Sequence, residues 1–406
     1  MASSERTLDT GFTTDVVVVG GGGHVGLPLA IAFADRGASV VVHDISADAV
    51  DGVNAGRLPF LEPGAEPLLR KALDAGLIRA STDPAEVATA EHVVVVIGTP
   101  VDEHLNPDPE AIPRALGACA PFFRDGQLLV LRSTVFPGVT ALVERMIADL
   151  GLDMDVAFCP ERIAEHKAME ELFSLPQIVS SRTDRGEKRA GALFGRLTET
   201  LVTLEPEEAE LAKLFTNTWR YIKFAAANQF YMMANDRGLD FERIRAGLTQ
   251  DYPRAADLPG PGFAAGPCLF KDTMQLAAFS NNQFALGHSA MLVNEGLPLY
   301  LVSRLEQRFD LSEMTVGILG MSFKGGSDDI RSSLSYKLRR VLSFKAKHVL
   351  TTDPYVTVDP TLLPLRHVLD SADLLIIATP HEEYRDLQTD KPIADVWNLL
   401  GNGVRV

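Results

Sequence analysis

Asp15-Val16-Val17-Val18-Val19-Gly20-Gly21-Gly22-Gly23-His24-Val25-Gly26 is the stretch that decides how the first third of this chain folds. Its β-branched run is what a strand buried on both faces requires. Gly21, Gly23 and Gly26 then follow the spacing G-x-G-x-x-G, and Leu27 to Asp35 reads as an apolar helix ending near Gly37. A second strand, Ala38 to His43, delivers Asp44. A lone glycine triplet is weak, because glycines at a strand-to-helix turn can serve tight packing alone. Strand, triplet, helix, strand and acid in register are a dinucleotide fingerprint. A carboxylate at Asp44 is placed to accept from both ribose hydroxyls and would repel a 2′-phosphate, which favours NAD over NADP.

Two more strands carry the pattern outward. Glu91 to Ile97 ends in Gly98-Thr99-Pro100, and Leu128 to Leu131 ends in Arg132-Ser133-Thr134. Ligands of parallel sheets bind at such carboxyl ends. Thr99, Ser133 and Thr134 equally suit helix caps and turns.

Length and charge bound the rest. A chain of 406 residues suggests two or three domains. Its net charge of −16 argues against a nucleic-acid or anionic-membrane partner, and no apolar run approaches the ~20 residues of a membrane span. Residues 1–14 read as a polar, flexible tail without a secretion signal. Cys119, Cys159 and Cys268 are odd in number and widely spaced, so neither a disulfide framework nor a metal site is implied, and a reducing cytoplasm is the natural setting.

The middle reads as helical. Leu211, Leu214, Phe215, Trp219, Ile222, Phe224, Phe230 and Met233 predict one long, largely buried helix over Glu205–Gly238, with a second near Phe241 to Leu248. Lys213 and Asn217 share a face of the first, as a snorkelling lysine and a packing asparagine also would. Glu161 and Glu165 fall on one side if their segment is helical, where a solvated face is the commoner outcome. The Pro/Gly-rich stretch from Asp251 through Pro259 to Cys268-Leu269-Phe270-Lys271-Asp272 is too long for a simple connection. Taken alone its thiol would be a small buried hydrophobe, and only positive charge or a helix N-terminus would make it a nucleophile.

The last third repeats the opening logic without its triplet. A strand over Met314–Leu319 leads into Gly320 to Arg331, with Lys324 and Arg331 bracketing the loop as an anionic ligand would need, or pairing with Asp328 and Asp329. Strands at His348–Thr352 and Leu374–Ala378 end in Asp353-Pro354 and Thr379-Pro380-His381. The expected fold is α/β: two Rossmann-like doubly wound domains (15–203 and 311–406) joined by a central helical region (204–310).

The ordered set of Gly21 to Gly26 with Asp44, Gly98-Thr99-Pro100, Ser133-Thr134, Pro160-Glu161-Arg162, Glu210 to Asn217, Gly262 to Asp272, and Phe323-Lys324 through Arg331 resembles the UDP-glucose/GDP-mannose dehydrogenase family over nearly the whole chain. The resemblance implies oxidation of the C6 alcohol of a nucleotide-activated hexose to a carboxylate with two NAD+, through a thiohemiacetal and a thioester. It implies Cys268 as nucleophile, Lys213 with Asn217 stabilising oxyanions, Asp272 and Thr134 handling water, and Glu161 as base or orienting acid in thioester hydrolysis. Gly21, Gly23, His24, Val25, Gly26, Asp44, Gly98, Thr99, Pro100, Ser133, Thr134, Lys271 and Arg331 fall to the cofactor. Glu165, Lys213, Asn217, Arg254, Gly262, Phe263, Phe323 and Lys324 fall to the substrate, as does Arg331, and an arginine near Arg254 reaching a neighbouring subunit implies a homodimer.

The chain departs from the family pattern at Ala264-Ala265-Gly266-Pro267, where Gly-Gly is usual before the cysteine, at His166, where glycine is common, and at Gln229, where glutamate is common. These changes bear on the hexose, with UDP-glucose read ahead of UDP-N-acetylmannosamine, UDP-N-acetylglucosamine or GDP-mannose. A two-electron hydroxyacid dehydrogenase and a non-catalytic NAD- or sugar-nucleotide-binding regulator are the rival readings.

Overall fold

The computed structural model describes residues 11–99, 101–102 and 107–403. Most of the tail expected over 1–14, and Pro100, lie outside these residues. The chain forms two compact units divided after Leu214.

In the first unit the strands are β1 (Thr14–Val19), β2 (Val40–His43), β3 (Ile78–Ser81), β4 (Ala90–Val95), β5 (Leu128–Leu131), β6 (Asp155–Phe158), β7 (Gln177–Ser181) and β8 (Leu201–Thr203). They make an eight-stranded sheet in the order β3-β2-β1-β4-β5-β6-β7-β8. The first six are parallel, β7 runs antiparallel to β6, and β8 is parallel to β7. Helices α1 (Gly26–Asp35), α2 (Ala47–Asn54), α3 (Ala65–Asp74), α4 (Ala111–Leu116), α5 (Val139–Asp149), α6 (Ala168–Ser174) and α7 (Asp184–Phe194) accompany them. Val16 and Val18 face one core cluster and Val17 and Val19 the other, which is why an uninterrupted valine run was needed. This is a doubly wound sheet whose order reverses between β1 and β4.

Helix α8 (Pro206–Asn235, 30 residues) carries the division at Leu214. Near its start, buried Glu210 accepts from the Gly138 and Thr140 N–H groups at 2.6 and 2.8 Å and from the Thr140 hydroxyl at 2.6 Å, capping α5. The expectation of a largely buried helix needs correction. Leu214, Tyr221 and Tyr231 are fully buried, but Phe215, Trp219, Phe230 and Met233 are 52, 57, 47 and 62% exposed. The apolar pattern is two stripes, and among the described residues the second is left exposed.

In the second unit α9 (Phe241–Thr249), α10 (Leu269–Phe279) and α11 (Ala285–Glu306) precede β9 (Thr315–Leu319), α12 (Leu334–Leu342), β10 (His348–Thr352), α13 (Leu365–Ser371), β11 (Leu374–Ile377) and β12 (Ile393–Asp395). The sheet is parallel in the order β10-β9-β11-β12, reversing between β9 and β11. The expected α/β architecture with a helical middle is therefore the one observed. No described helix is long and apolar enough to cross a membrane.

Candidate active site

The carboxyl ends of β1, β4, β5 and β6 share one edge of the first sheet, because those strands are parallel neighbours. Gly21 and Gly26 have no room for a side chain there: a Cβ on Gly21 would lie 2.7 Å from the Val18 carbonyl, and one on Gly26 2.7 Å from the Gly21 Cα. Gly23 differs, with nothing within 4 Å of its Cβ position, so a ligand can approach its backbone. Neither a side-chain cap at Val25 nor an acid in the first turn of α1 competes for the helix N-terminus. His24 stacks on Phe60 with ring centroids 4.2 Å apart.

Asp44 stands just beyond β2, its Oδ2 accepting from Gly22 N–H at 2.9 Å and its Oδ1 from Ser46 N–H at 3.0 Å. This cradle fits NAD: an open glycine at an uncapped helix start for the pyrophosphate, and a fixed carboxylate for the ribose. Thr99 donates to the Thr134 carbonyl at 2.6 Å, and the Ser133 hydroxyl accepts from Ile97 N–H at 2.7 Å, so the ends of β4 and β5 are tied together beside exposed Gly98.

Glu161 also lies at this edge, buried, with one oxygen on the guanidinium of fully buried Arg132 and the other on the Arg162 and Ile163 N–H groups at 2.6 and 2.8 Å. The segment from Glu161 to Glu165 is not helical, so the shared face expected of the two acids does not form, and Glu165 is half-buried. His166 has a φ of +65°, where glycine is at ease and a side chain costs about 1–2 kcal/mol. The Glu62 carboxylate holds it there, accepting from His166 and Ala168 N–H groups at 2.9 Å each.

In the second unit Cys268 is the N-cap of α10 and is exposed, whereas Cys119 and Cys159 are buried. Burial pushes the Cys159 thiol up to about 12 against the opposing pull of Arg132, and burial raises Cys119 also. A sulfur at the start of an 11-residue helix meets the positive end of its dipole, which favours thiolate. Asp272 follows one turn later and is fully buried. Its Oδ2 accepts from Asn217 Nδ2 at 2.5 Å and its Oδ1 pairs with Lys271 Nζ at 2.8 Å. Lys213 lies one turn before Asn217 on α8, and both are buried. The structure thus brings Cys268, Lys271, Asp272 and Asn217 together.

The other residues expected at the substrate, Arg254, Gly262, Phe263, Phe323 and Lys324, belong to the same unit, as does Arg331. Gly266 lies against the Phe323 ring, 2.7 Å from its Cβ position, and Lys324 projects over that ring at 5.9 Å from the centroid. Arg331 is folded onto Asp329, with Nε at 3.0 and 2.9 Å and Nη2 at 2.6 Å from its carboxylate. Arg254 is exposed and stacked on Tyr252, its carbon 5.0 Å from the ring centroid. Gly262 and Phe263 are buried, as is Ala264; Ala265 and Pro267 are half-buried, and Gln229 is exposed.

Sequence reasoning assigned no role to Asp353 or His381. Both side chains are wholly buried at the carboxyl edge of the second sheet. His381 Nε2 lies 3.0 Å from Asp353 Oδ2, and its Nδ1 accepts from Gly326 N–H at 3.1 Å. Asp353 further accepts from the Met321, Ser322, Tyr355 and Val356 N–H groups at 2.6, 3.0, 2.9 and 3.0 Å. The pair knits the loops after β9, β10 and β11. Its only sequence signal was the position of each residue just past a strand.

A doubly wound NAD fold defines the class as a nicotinamide-dependent oxidoreductase. The chain matches the models of the UDP-glucose/GDP-mannose dehydrogenase family for the NAD binding domain over residues 14–198, the central domain over 207–296 and the UDP binding domain over 317–402. It is 30% identical to an NDP-N-acetyl-D-galactosaminuronic acid dehydrogenase of Ralstonia solanacearum, covering 95% of each chain, and 29% identical to a UDP-N-acetyl-D-mannosamine dehydrogenase of Pyrococcus horikoshii, covering 96% of this chain and 93% of the other. Among solved structures, a UDP-glucose dehydrogenase of Pyrobaculum islandicum aligns with a TM-score of 0.89 at 28% identity over 98% of both chains. The chain belongs to the UDP-glucose/GDP-mannose dehydrogenase family, and is an NAD-dependent oxidoreductase acting on nucleotide sugars.

Proposed function

We propose that this chain oxidises the C6 hydroxymethyl of a UDP-hexose to the carboxylate in a four-electron reaction run through Cys268. The observation that carries the reading is the exposed thiol at the start of α10 with buried Asp272 one turn behind it, held by Asn217 and Lys271. NAD, when bound, accepts hydride. In the first oxidation a water positioned by Asp272 and Thr134 takes the C6 hydroxyl proton as hydride leaves, giving the aldehyde. The Cys268 thiolate then forms a C–S bond, and the oxyanion, stabilised by Lys213 with Asn217, gains a proton to give a thiohemiacetal. Loss of that proton and of a second hydride leaves a thioester. Water, oriented with the help of Glu161, adds to the thioester carbonyl, the C–S bond breaks, and the thiolate is regenerated. One alcohol, one water and two NAD+ become one carboxylate, two NADH and three protons.

For the sugar we favour an N-acetylhexosamine, UDP-N-acetylmannosamine first and UDP-glucose next. This reverses the order expected from the sequence, because both relatives compared above by sequence are named for N-acetylated sugars. Phe323, Lys324, Arg331 and Arg254 serve as nucleotide-sugar contacts, with Gly262, Phe263 and Glu165 on the sugar side. The exposed stripe of α8 supports a homodimer, and free thiols suit a reducing cytoplasm. The organisation into a tail (1–14), NAD domain (15–203), helical middle (204–310) and nucleotide-sugar domain (311–406) belongs to the same reading. A spectrophotometric screen of NAD+ reduction over UDP-, GDP- and TDP-sugars tests it. Turnover should be fastest with a UDP-N-acetylhexosamine, and binding of sugar nucleotides with no NADH formed would favour a regulator instead.

A further inference from the structure

The turn that leads to Cys268 is gripped from two sides by residues that take no part in the chemistry. Asn228 on α8 is 0% exposed and closes a two-point clamp on Gly262. Its Oδ1 accepts the Gly262 N–H at 2.8 Å, and its Nδ2 donates to the Gly262 carbonyl at 3.0 Å. The second Nδ2 hydrogen goes to Asn294 Oδ1 on α11 at 2.9 Å, and Asn294, also 0% exposed, donates to the Tyr221 carbonyl at 3.0 Å.

The opposing jaw is Trp397, just beyond β12. A Cβ built on Gly262 would lie 2.3, 2.4 and 2.6 Å from three carbons of its ring, and Gly262 has a φ of +149°. The ring is fixed in turn, because its Nε1 donates to the Ala378 carbonyl at 3.1 Å. From Gly262 the chain runs through buried Phe263 and Ala264, whose N–H returns to the Gly262 carbonyl at 2.9 Å, and through Gly266 with a φ of +106°. Cys268 follows.

A buried amide with every donor and acceptor engaged is stiff, since releasing one contact orphans the others. Cys268 is exposed at the end of this turn, so the path of the turn's backbone sets where its sulfur stands. We infer that Asn228 and Trp397 are positioning residues, which set the place of the Cys268 sulfur by clamping Gly262. Asn228 is fully buried and bonds to the Gly262 backbone, so its influence passes through the backbone of the turn. The inference rests on Cys268 being the nucleophile.

The test uses the full-length chain with Asn228→Asp, which keeps the shape and the acceptor but loses the donors, together with Trp397→Ala and Trp397→Phe. Because Cys119 and Cys159 are buried, the pH profile of iodoacetamide alkylation reads Cys268 without any need for turnover. Thermal unfolding and calorimetric UDP affinity are followed alongside. For Asn228→Asp and Trp397→Ala, kcat is expected to fall about 10²-fold while KM for the nucleotide sugar changes less than about threefold, as for a displaced reacting group. The alkylation profile should shift in both, and Trp397→Phe should restore it. Unchanged alkylation and kcat would overturn the inference. So would losses that merely track unfolded protein or weakened UDP binding. A wild-type chain that forms no NADH with any nucleotide sugar, yet whose alkylation responds to Asn228→Asp, would sink the dehydrogenase reading and leave the clamp standing.

Discussion

Among the residues of the proposed site, Cys268 and Asp272 divide the work by environment. Cys268 is exposed at a helix start, while Asp272 is sealed beneath it with one neutral and one cationic partner. Asp272→Asn keeps the shape, removes the charge that Lys271 balances, and removes the carboxylate proposed to position water. We expect kcat to drop about 10²–10⁴-fold, the range of a lost acid–base group, with thermal stability close to wild type. Steady-state kinetics beside thermal unfolding check this, and unimpaired turnover would remove Asp272 from the chemistry. Cys268, Lys213 and Asn217 could be singled out as candidates in the sequence because each sits in a recognisable ordered set. Asn228 was not, since an asparagine in an apolar helix has no periodic signal and its partner Gly262 lies far along the chain. The glycine preference at His166 was readable from the family pattern, but its cause, a φ of +65°, needed the backbone.

Elements followed the sequence where burial was two-sided. The runs that became β1, β5 and β11 were placed closely, because a strand with both faces covered must be continuously apolar or β-branched. The short β7 and β8 escaped, since Gln177–Ser181 mixes polar residues into its run and β8 is exposed throughout. Helix α8, expected over Glu205–Gly238, runs Pro206–Asn235, and its second apolar stripe was misjudged, as periodicity reports faces without saying what covers them. At the edge of the second sheet, desolvation pushes the Asp353 carboxyl up, but the hydrogen bond and charge of His381 and the Met321 and Ser322 N–H groups outweigh it and hold it below its ordinary value. A carboxyl lowered in the folded state contributes stability above its unfolded value, and that contribution is lost as pH falls through the folded one. Below about pH 4 wild type should therefore lose stability more steeply than Asp353→Asn, which starts lower at neutral pH. Urea midpoints measured against pH check this, and parallel curves would contradict it.

At the scale of the molecule, a chain carrying a net charge of −16 leaves Phe215, Trp219, Phe230 and Met233 exposed along one helix, which a solitary soluble chain has little reason to do. Under the proposed homodimer, wild type is expected to sediment as a dimer and the double variant Trp219→Glu, Met233→Glu as a monomer, and an unchanged sedimentation coefficient would count against that face. The nucleotide sugar acted on was the least legible feature, because the altered residues Ala264, Ala265 and Pro267 fill space and carry no hydrogen-bonding side chain that would specify a sugar substituent. The central claim is that one thiol captures the aldehyde of the first oxidation and carries it through the second. It is tested most directly by counting NADH per sugar acid for the wild type and for Cys268→Ser with the best UDP-hexose. The account predicts two NADH per acid for the wild type and no steady turnover for the variant. A ratio of one, or a serine variant as fast as wild type, would contradict it.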